Sequence, residues 1–325
     1  MLDVVTFGSA SWDIFVRDDE FRFREEGSSP TGEEICSPLG SKIEIDEVRF
    51  FTGGGGTNAL ATFLAQGLKA IYCGSVGSDP IGEVVVNEIK KMRSDISLIY
   101  RIKDRVTNFS VIMSAAGKDR TVLAYRDAAE HLPIKKLLKE MPQTKWFYIA
   151  PLSGKAVPFF EEIVDFAKKK GVKVAVNLGK DQLKIPSKKL NEILSKTDIL
   201  ILNEEESSIL SGVDYMKEEK LFKKITDNYL GTFVMTKGPD GSIVSDKDFI
   251  YKAGIVKSKV VDRTGAGDSY GAGFVSSIIS EKTTQEAIQF ATANSARCLR
   301  EWGAKNGLIK KGEKYKKVKV EIIRR

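Results

Sequence analysis

The chain has 325 residues, 42% of them hydrophobic and 29% charged, with a formal net charge of +7. This balance excludes a collagen, a disordered tail protein and a disulfide-stapled miniprotein, and the length suits one large α/β domain with an insertion, or two ordinary domains. The charge hints at nucleic acid, but the whole excess lies in residues 305–325, where seven lysines and two arginines oppose only Glu313 and Glu321. The body of the chain is neutral. A single histidine, His131, leaves little room for a Ser-His-Asp relay or a His-rich metal site. Cys36, Cys73 and Cys298 are odd in number and far apart, so no disulfide framework or thiolate zinc site is encoded. Free thiols suit a reducing cytosol. The N-terminal stretch meets Asp3 at once and is a poor signal peptide, and no apolar run approaches the ~20 residues that span a bilayer. The expected location is the cytoplasm, with no membrane partner.

In chain order, residues 3–8 read as a first strand. Residues 17–41 are polar and rich in Gly, Ser and Pro, and read as a mobile loop. Residues 42–51 alternate, with Ile43, Ile45, Val48 and Phe50 marking a period near two. Residues 57–67 form a helix ending on Gly67. A strand at 70–76 precedes a helix at 80–93, with Asp79 as its N-cap and Pro80 at its first position. Residues 108–115 and 120–125 flank a turn at 116–119 and read as a hairpin. A strand at 146–150 precedes a helix at 155–170, which ends at Gly171 after three lysines, as the helix dipole favours. Strands at 172–177, 198–202 and 232–236 follow, then a turn centred on 239–241. The basic tail reads as a last edge strand with Val318, Val320 and Ile322 facing in and lysines outward. Continuously apolar strands separated by helices predict a mostly parallel α/β sheet covered on both faces. The alternating strands near 14–51 and 105–126 predict a small separate sheet inserted into that body.

Two glycine motifs carry the chemistry. The first is Thr52-Gly-Gly-Gly-Gly-Thr-Asn58, between a strand and a helix. Four glycines remove every Cβ, so a ligand can approach bare amides, and Asn58 offers both a donor and an acceptor for hydroxyls. The plainer reading is a flexible turn with a capping Asn. Neither a dinucleotide fingerprint nor a P-loop is present. The second is Asp262-Arg-Thr-Gly265-Ala266-Gly267-Asp268, where small residues open a helix and its free amides and dipole would receive an anion. Asp268 then stands in the first turn beside that anion site. Its plainer reading is dipole stabilisation of the helix start, which leaves the Gly-Ala-Gly run unexplained. Gly267-Asp-Ser-Tyr-Gly271 also matches a hydrolase nucleophile elbow, but that chemistry needs a histidine later in the chain, and none exists.

In that order and at that spacing, the two motifs resemble those of the PfkB/ribokinase-type carbohydrate kinases. Asn203-Glu-Glu-Glu206 resembles the family's Asn-x-x-Glu motif, although the same residues have the form of a helix capping box. Thr236-Lys-Gly238 resembles its nucleotide-binding strand end, and the resemblance covers roughly residues 1–304. Leu60 and Arg263 depart from the usual pattern. The resemblance implies a ribokinase-like, Rossmann-like fold over residues 1–325, with the inserted strands as a lid over the substrate. It implies ATP and Mg²⁺ as cofactors, with K⁺ as a candidate. It implies Asp268 as general base, Gly265, Ala266 and Gly267 as anion hole, and Asp13, Gly53, Gly54 and Asn58 as holders of a small sugar's hydroxyls. Asn203, Thr236 and Gly238 would lie along the nucleotide, Glu206 would act on Mg²⁺ through water, and Asp262 would hold a monovalent cation. A homodimer through the lid is expected. The alternatives are a nucleoside kinase, with Phe15, Phe109 or Tyr125 as platform for the base, and, more distantly, a nucleic-acid binder working through the tail.

Overall fold

The structure is a computed structural model of the chain and describes residues 1–18, 21–25, 32–115 and 120–325. Strand β1 (Leu2–Phe7) leads to β2 (Ser11–Arg17), a pair β3 (Arg22–Glu25) and β4 (Glu33–Cys36), and β5 (Glu47–Gly53). Then come α1 (Gly55–Ala65), β6 (Ala70–Gly77), α2 (Pro80–Lys91), β7 (Ile99–Ile102), β8 (Asn108–Ser114) and β9 (Thr121–Tyr125). The chain continues through α3 (Ile134–Glu140), β10 (Thr144–Ile149), α4 (Phe159–Lys170), β11 (Lys173–Asn177), α5 (Ser187–Leu194), β12 (Ile199–Asn203) and α6 (Glu204–Ser211). It closes with α7 (Glu218–Asn228), β13 (Thr232–Thr236), β14 (Ser242–Ser245), β15 (Phe249–Ala253), α8 (Ala266–Ile279), α9 (Thr284–Cys298) and β16 (Val320–Arg324).

Among the described residues, ten strands form one sheet in the order β16-β15-β14-β13-β12-β11-β10-β1-β6-β7. From β13 to β7 the neighbours are parallel, and β13 to β16 are antiparallel. Alternate strand residues feed two cores. Val5, Phe7, Phe147 and Ile149 meet Leu137, Phe160, Ile163 and Phe222 of one helical layer. Val4, Trp146 and Tyr148 meet Leu60, Phe63, Ile89 and Phe274 of the other. Burial on both faces is why these strands lack a polar alternation. A second sheet, β5-β2-β8-β9, stands apart from the first. This is the α/β architecture with a small separate sheet that the sequence predicts.

Four local expectations change. Of the alternating stretch 42–51, only residues 47–51 lie in a strand, β5, which runs on to Gly53. Pairing runs from Arg17↔Glu47 to Ser11↔Gly53, so β2 ends where residues 42–46 would need a partner, and Ile43 and Ile45 are exposed. The polar stretch 17–41 contains the antiparallel pair β3/β4, with Arg24 Nη2 bonded to Glu34 Oε2 across it at 3.0 Å. Backbone pairing there overrides a loop-like composition. The expected helix 155–170 begins only at Phe159, after a 3₁₀ turn at Gly154–Ala156 and with Pro158 as its N-cap. In the tail, β16 pairs antiparallel with β15, and Val320 is buried, but Ile322 lies on the exposed part of the edge. The hairpin β8/β9 forms as expected, while the turn assigned to 116–119 lies outside the described residues. No helix among the described residues is long and apolar enough to cross a membrane.

Candidate active site

The site lies at the carboxyl ends of the parallel strands, where the second sheet faces the first. At the end of β5, Gly53 lies opposite Ser11 in the β2/β5 ladder, and a Cβ at Gly53 would stand 1.9 Å from Oδ2 of Asp13 on the same face. Only glycine leaves that carboxylate its place. Ser11 Oγ donates to Asp13 Oδ1 at 3.0 Å. Burial pushes the Asp13 carboxyl above the usual range, against hydrogen bonds from Ser11 and Ser110 and the charge of Lys305, which lower it. Gly54, at φ +95°, turns the chain into α1. Asn58, in the first turn of that helix, is buried, and its Nδ2 donates to Asp268 Oδ2 at 2.8 Å. Its Oδ1 is buried and finds no partner among the described residues, which leaves one acceptor for a hydroxyl.

At the second turn, Gly265 at φ +77° is the N-cap of α8, with no side-chain cap. A Cβ there would meet Ala304 Cβ at 2.2 Å, whereas a Cβ on Gly267 would meet nothing within 4 Å. The first turn of a helix leaves its amides without intrahelical acceptors, and a helix dipole backs this open face. Asp268 sits beside it. Burial raises its carboxyl from the ordinary value, and the hydrogen bond from Asn58 opposes that rise. Asp262 braces the turn: its Oδ1 accepts from Thr264 N at 2.9 Å and Oγ1 at 2.8 Å, and its Oδ2 accepts from Gly303 N at 3.0 Å.

Asn203 and Thr236 end adjacent parallel strands and face each other in register. The capping box is realised: Glu206 N donates to Asn203 Oδ1 at 2.8 Å and Asn203 N to Glu206 Oε2 at 2.9 Å. Gly238, at φ +54°, opens the 3₁₀ turn after β13. The Glu206 carboxyl is pushed up to about 7, first by burial, then by the charges of Glu205 and Asp268, against the Asn203 amide and Lys180. Glu206 thus lies within the field of Asp268. Of the two departures, Leu60 is fully buried in the core with Phe63, and Arg263 is exposed beside the second turn.

A profile of the pfkB family carbohydrate kinase matches residues 1–311. The chain belongs to this family. Among relatives of this pfkB kinase, a ribokinase of Haemophilus influenzae is 29% identical over 268 residues, covering 79% of this chain and 83% of the relative. An ATP-dependent 6-phosphofructokinase of Thermoanaerobacterium thermosaccharolyticum is 26% identical over 286 residues, covering 83% and 85%. Among solved structures, a Methanocaldococcus jannaschii nucleoside kinase superposes with a TM-score of 0.76 at 21% identity, over 95% of each chain. An Arabidopsis thaliana ribokinase complexed with ribose and ATP does so at 0.76 and 20% identity, over 94% of this chain and 95% of that one. The fold is the ribokinase fold and the protein is a carbohydrate kinase.

Sequence reasoning on this pfkB kinase overlooks two residues. Lys305 counts there as tail charge, yet the fold buries it. Its Nζ donates to Thr52 Oγ1 at 2.5 Å and stands 3.7 Å from Glu88 Oε1. Burial pushes its ammonium down to about 8, against the charges of Glu88 and Asp13. The small pair Gly303-Ala304 just before it is the only sequence sign of close packing. Trp302 packs edge-on against Phe15 at 5.5 Å, and the Arg49 guanidinium lies 5.3 Å above its ring. Strand alternation separates the three expected platform aromatics. Phe15 shares the cleft face with Asp13, whereas Phe109 aligns with Trp12 on the opposite face and stacks on Tyr125 at 5.3 Å.

Proposed function

We propose that the enzyme transfers the γ-phosphoryl group of ATP to a hydroxyl of a small sugar, with Asp268 as general base. The observation that carries this reading is the 2.8 Å hydrogen bond from Asn58 to Asp268. It brings the hydroxyl-binding turn and the anion-binding turn together across 210 positions of sequence. The hydroxyl gives its proton to Asp268 as its oxygen attacks the γ-phosphorus. The bond from that phosphorus to the bridging oxygen breaks, and ADP leaves. Gly265, Ala266 and Gly267 present amides where charge develops, and catalysis rests on positioning and electrostatics. The raised Asp268 carboxyl suits proton acceptance better than an ordinary aspartate.

Asp13, Gly53, Gly54 and Asn58 hold the acceptor in this reading, and Asn203, Thr236 and Gly238 border the nucleotide. A Mg²⁺ ion would supply charge neutralisation on the phosphates. Glu206 fits it: one oxygen is spent on the cap, and the hard carboxylate serves a hydrated cation. Glu206 would act on that cation through water. Asp262 and the Thr264 backbone remain the proposed monovalent-cation ligands, for K⁺. The apolar outer face of the second sheet, with Val48, Phe50, Leu123 and Tyr125 exposed, supports a homodimer through the lid. Unpaired Cys36, Cys73 and Cys298 suit a cytoplasmic enzyme. The tail's part in the edge of the main sheet speaks against nucleic acid as its partner.

Trp302 supports a nucleoside acceptor as second reading, since its half-buried ring borders the cleft face beside Phe15. A phosphorylation panel of D-ribose, D-fructose, other hexoses, adenosine and inosine, with and without K⁺, distinguishes the two. Turnover of a free sugar well above any nucleoside is the expected result. No turnover of either class, in a folded protein with ATP and Mg²⁺, would overturn the reading.

A further inference from the structure

Residues 302–305 lie between two parts of the site that must act together. On one side, Gly303 N donates to Asp262 Oδ2 at 3.0 Å, and Ala304 fills the space where a side chain on Gly265 would stand. These contacts form the back wall of the anion hole. On the other side, Trp302 packs on Phe15 of β2, and a Cβ on Gly303 would strike the Phe51 ring of β5 at 2.7 Å. The segment is therefore wedged between the lid sheet and the anion hole, with backbone or small side chains at each contact.

What holds the wedge is a half-buried polar cluster. Lys305 bonds Thr52 on β5 and pairs with Glu88 on α2, while Thr52 Oγ1 also donates to Glu88 Oε2. The Lys305 side chain is 7% exposed, and an ammonium so buried is retained only when paired and hydrogen-bonded. Thr52 immediately precedes Gly53, whose missing Cβ leaves room for the Asp13 carboxylate. The cluster borders a cavity of about 420 Å³ that also reaches Trp12, Phe50 and Lys91.

We propose that Lys305 is a positioning residue. Its ammonium clamps the lid strand β5 and helix α2 to the segment that backs the anion hole, so that lid and anion hole take up one geometry together. It acts through Thr52, Glu88 and the backbone of the 303–304 segment. A displaced lid strand would pull on Gly303 and Ala304, and through them on Asp262 and Gly265. Packed interfaces of this kind transmit small shifts because they have few intermediate arrangements.

Two arms test this. The first does not depend on turnover: hydrogen–deuterium exchange of the full-length apoprotein. Lys305→Met should speed exchange by about tenfold or more in both 47–53 and 262–268, and leave α4 unchanged. Lys305→Arg should restore protection in both segments. Faster exchange confined to 47–53, with 262–268 unaffected, would overturn the proposal. The second arm rests on the kinase reading above and uses the fastest acceptor among D-ribose, D-fructose and inosine. Lys305→Met should lower kcat about 10- to 100-fold while KM for ATP moves less than about threefold, with most of kcat regained in Lys305→Arg. An unchanged kcat, or no rescue by arginine, would overturn it. If Lys305→Met does not fold, Glu88→Gln should loosen the same two segments by about threefold, and loosening of only one would count against the proposal. Absence of any phosphoryl transfer by the unmodified enzyme sinks the kinase reading but leaves the exchange arm decisive.

Discussion

The glycine turn before α1 is packed at both Gly54 and Gly56, whereas the one that opens α8 is packed at Gly265 and open at Gly267. A Cβ on Gly54 would stand 2.5 Å from the Ser9 carbonyl oxygen, and one on Gly56 would stand 2.7 Å from the Tyr72 ring. On Gly267 it would meet nothing within 4 Å. Both turns use a positive-φ glycine as N-cap, and neither helix has a side-chain cap. The first turn needs its glycines in order to fold; the second needs Gly265 for the same reason, since a Cβ there would meet Ala304, and leaves space only at Gly267. The same residue type is a packing requirement at one position and leaves open space at another.

The largest expected effect belongs to the second turn. Asp268→Asn should lower kcat by about 10²–10⁴-fold, with stability kept or improved, because the change removes a buried charge. Steady-state kinetics and a thermal melt check both, and near-normal turnover would remove Asp268 from its role. Next comes Gly54→Ala, which forces a side chain to φ +95° against a carbonyl. A loss of about 2–4 kcal/mol in urea unfolding is expected. Gly267→Ala should leave stability within about 0.5 kcal/mol and lower kcat about tenfold by crowding the amide face. Equal stability losses at Gly54 and Gly267 would erase the contrast between the turns.

Two smaller effects sharpen it. Glu206 moves from an ordinary 4.5 to about 7 in the fold, partly through Asp268. A carboxyl raised in the fold favours folding below its unfolded value, and that contribution is lost as pH rises through the folded one. The melting temperature of the apoprotein should therefore drop by about 2–4 °C between pH 4.5 and 7 relative to Glu206→Gln. A parallel pH profile for the two proteins would count against that shift. Asn203→Ala removes a side-chain cap, the device that α1 and α8 lack, and should lose about 1 kcal/mol in denaturant; no loss would mean that α6 needs no cap.

Much of this molecule is legible in its sequence. The strands at 70–77, 199–203 and 232–236 stand out because both their faces are buried, so apolar runs need no partner to identify them. Asp79 and Pro80 start α2 for purely local reasons, as Asn203 and Glu206 start α6. Local rules fail where pairing decides. Residues 42–46 carry a strand pattern without a neighbouring strand, and β3/β4 pair despite a polar composition. The platform aromatics fail for a related reason. Phe15 and Phe109 are equally apolar in sequence, and only the register of β2 against β8 separates their faces.

By itself, the sequence determined the kind of fold, the two helix-opening turns and the carboxylate beside the second. Glycine, proline and capping residues act over three or four positions, and alternation of burial leaves its mark along each strand. Tertiary structure decided the rest. It joined Asn58 to Asp268 across 210 residues, packed Gly54 and Gly265 while leaving Gly267 open, and withdrew Lys305 from a basic tail to lie beside Glu88. Those outcomes depend on contacts between distant segments, and a charge is read differently once its surroundings have excluded water.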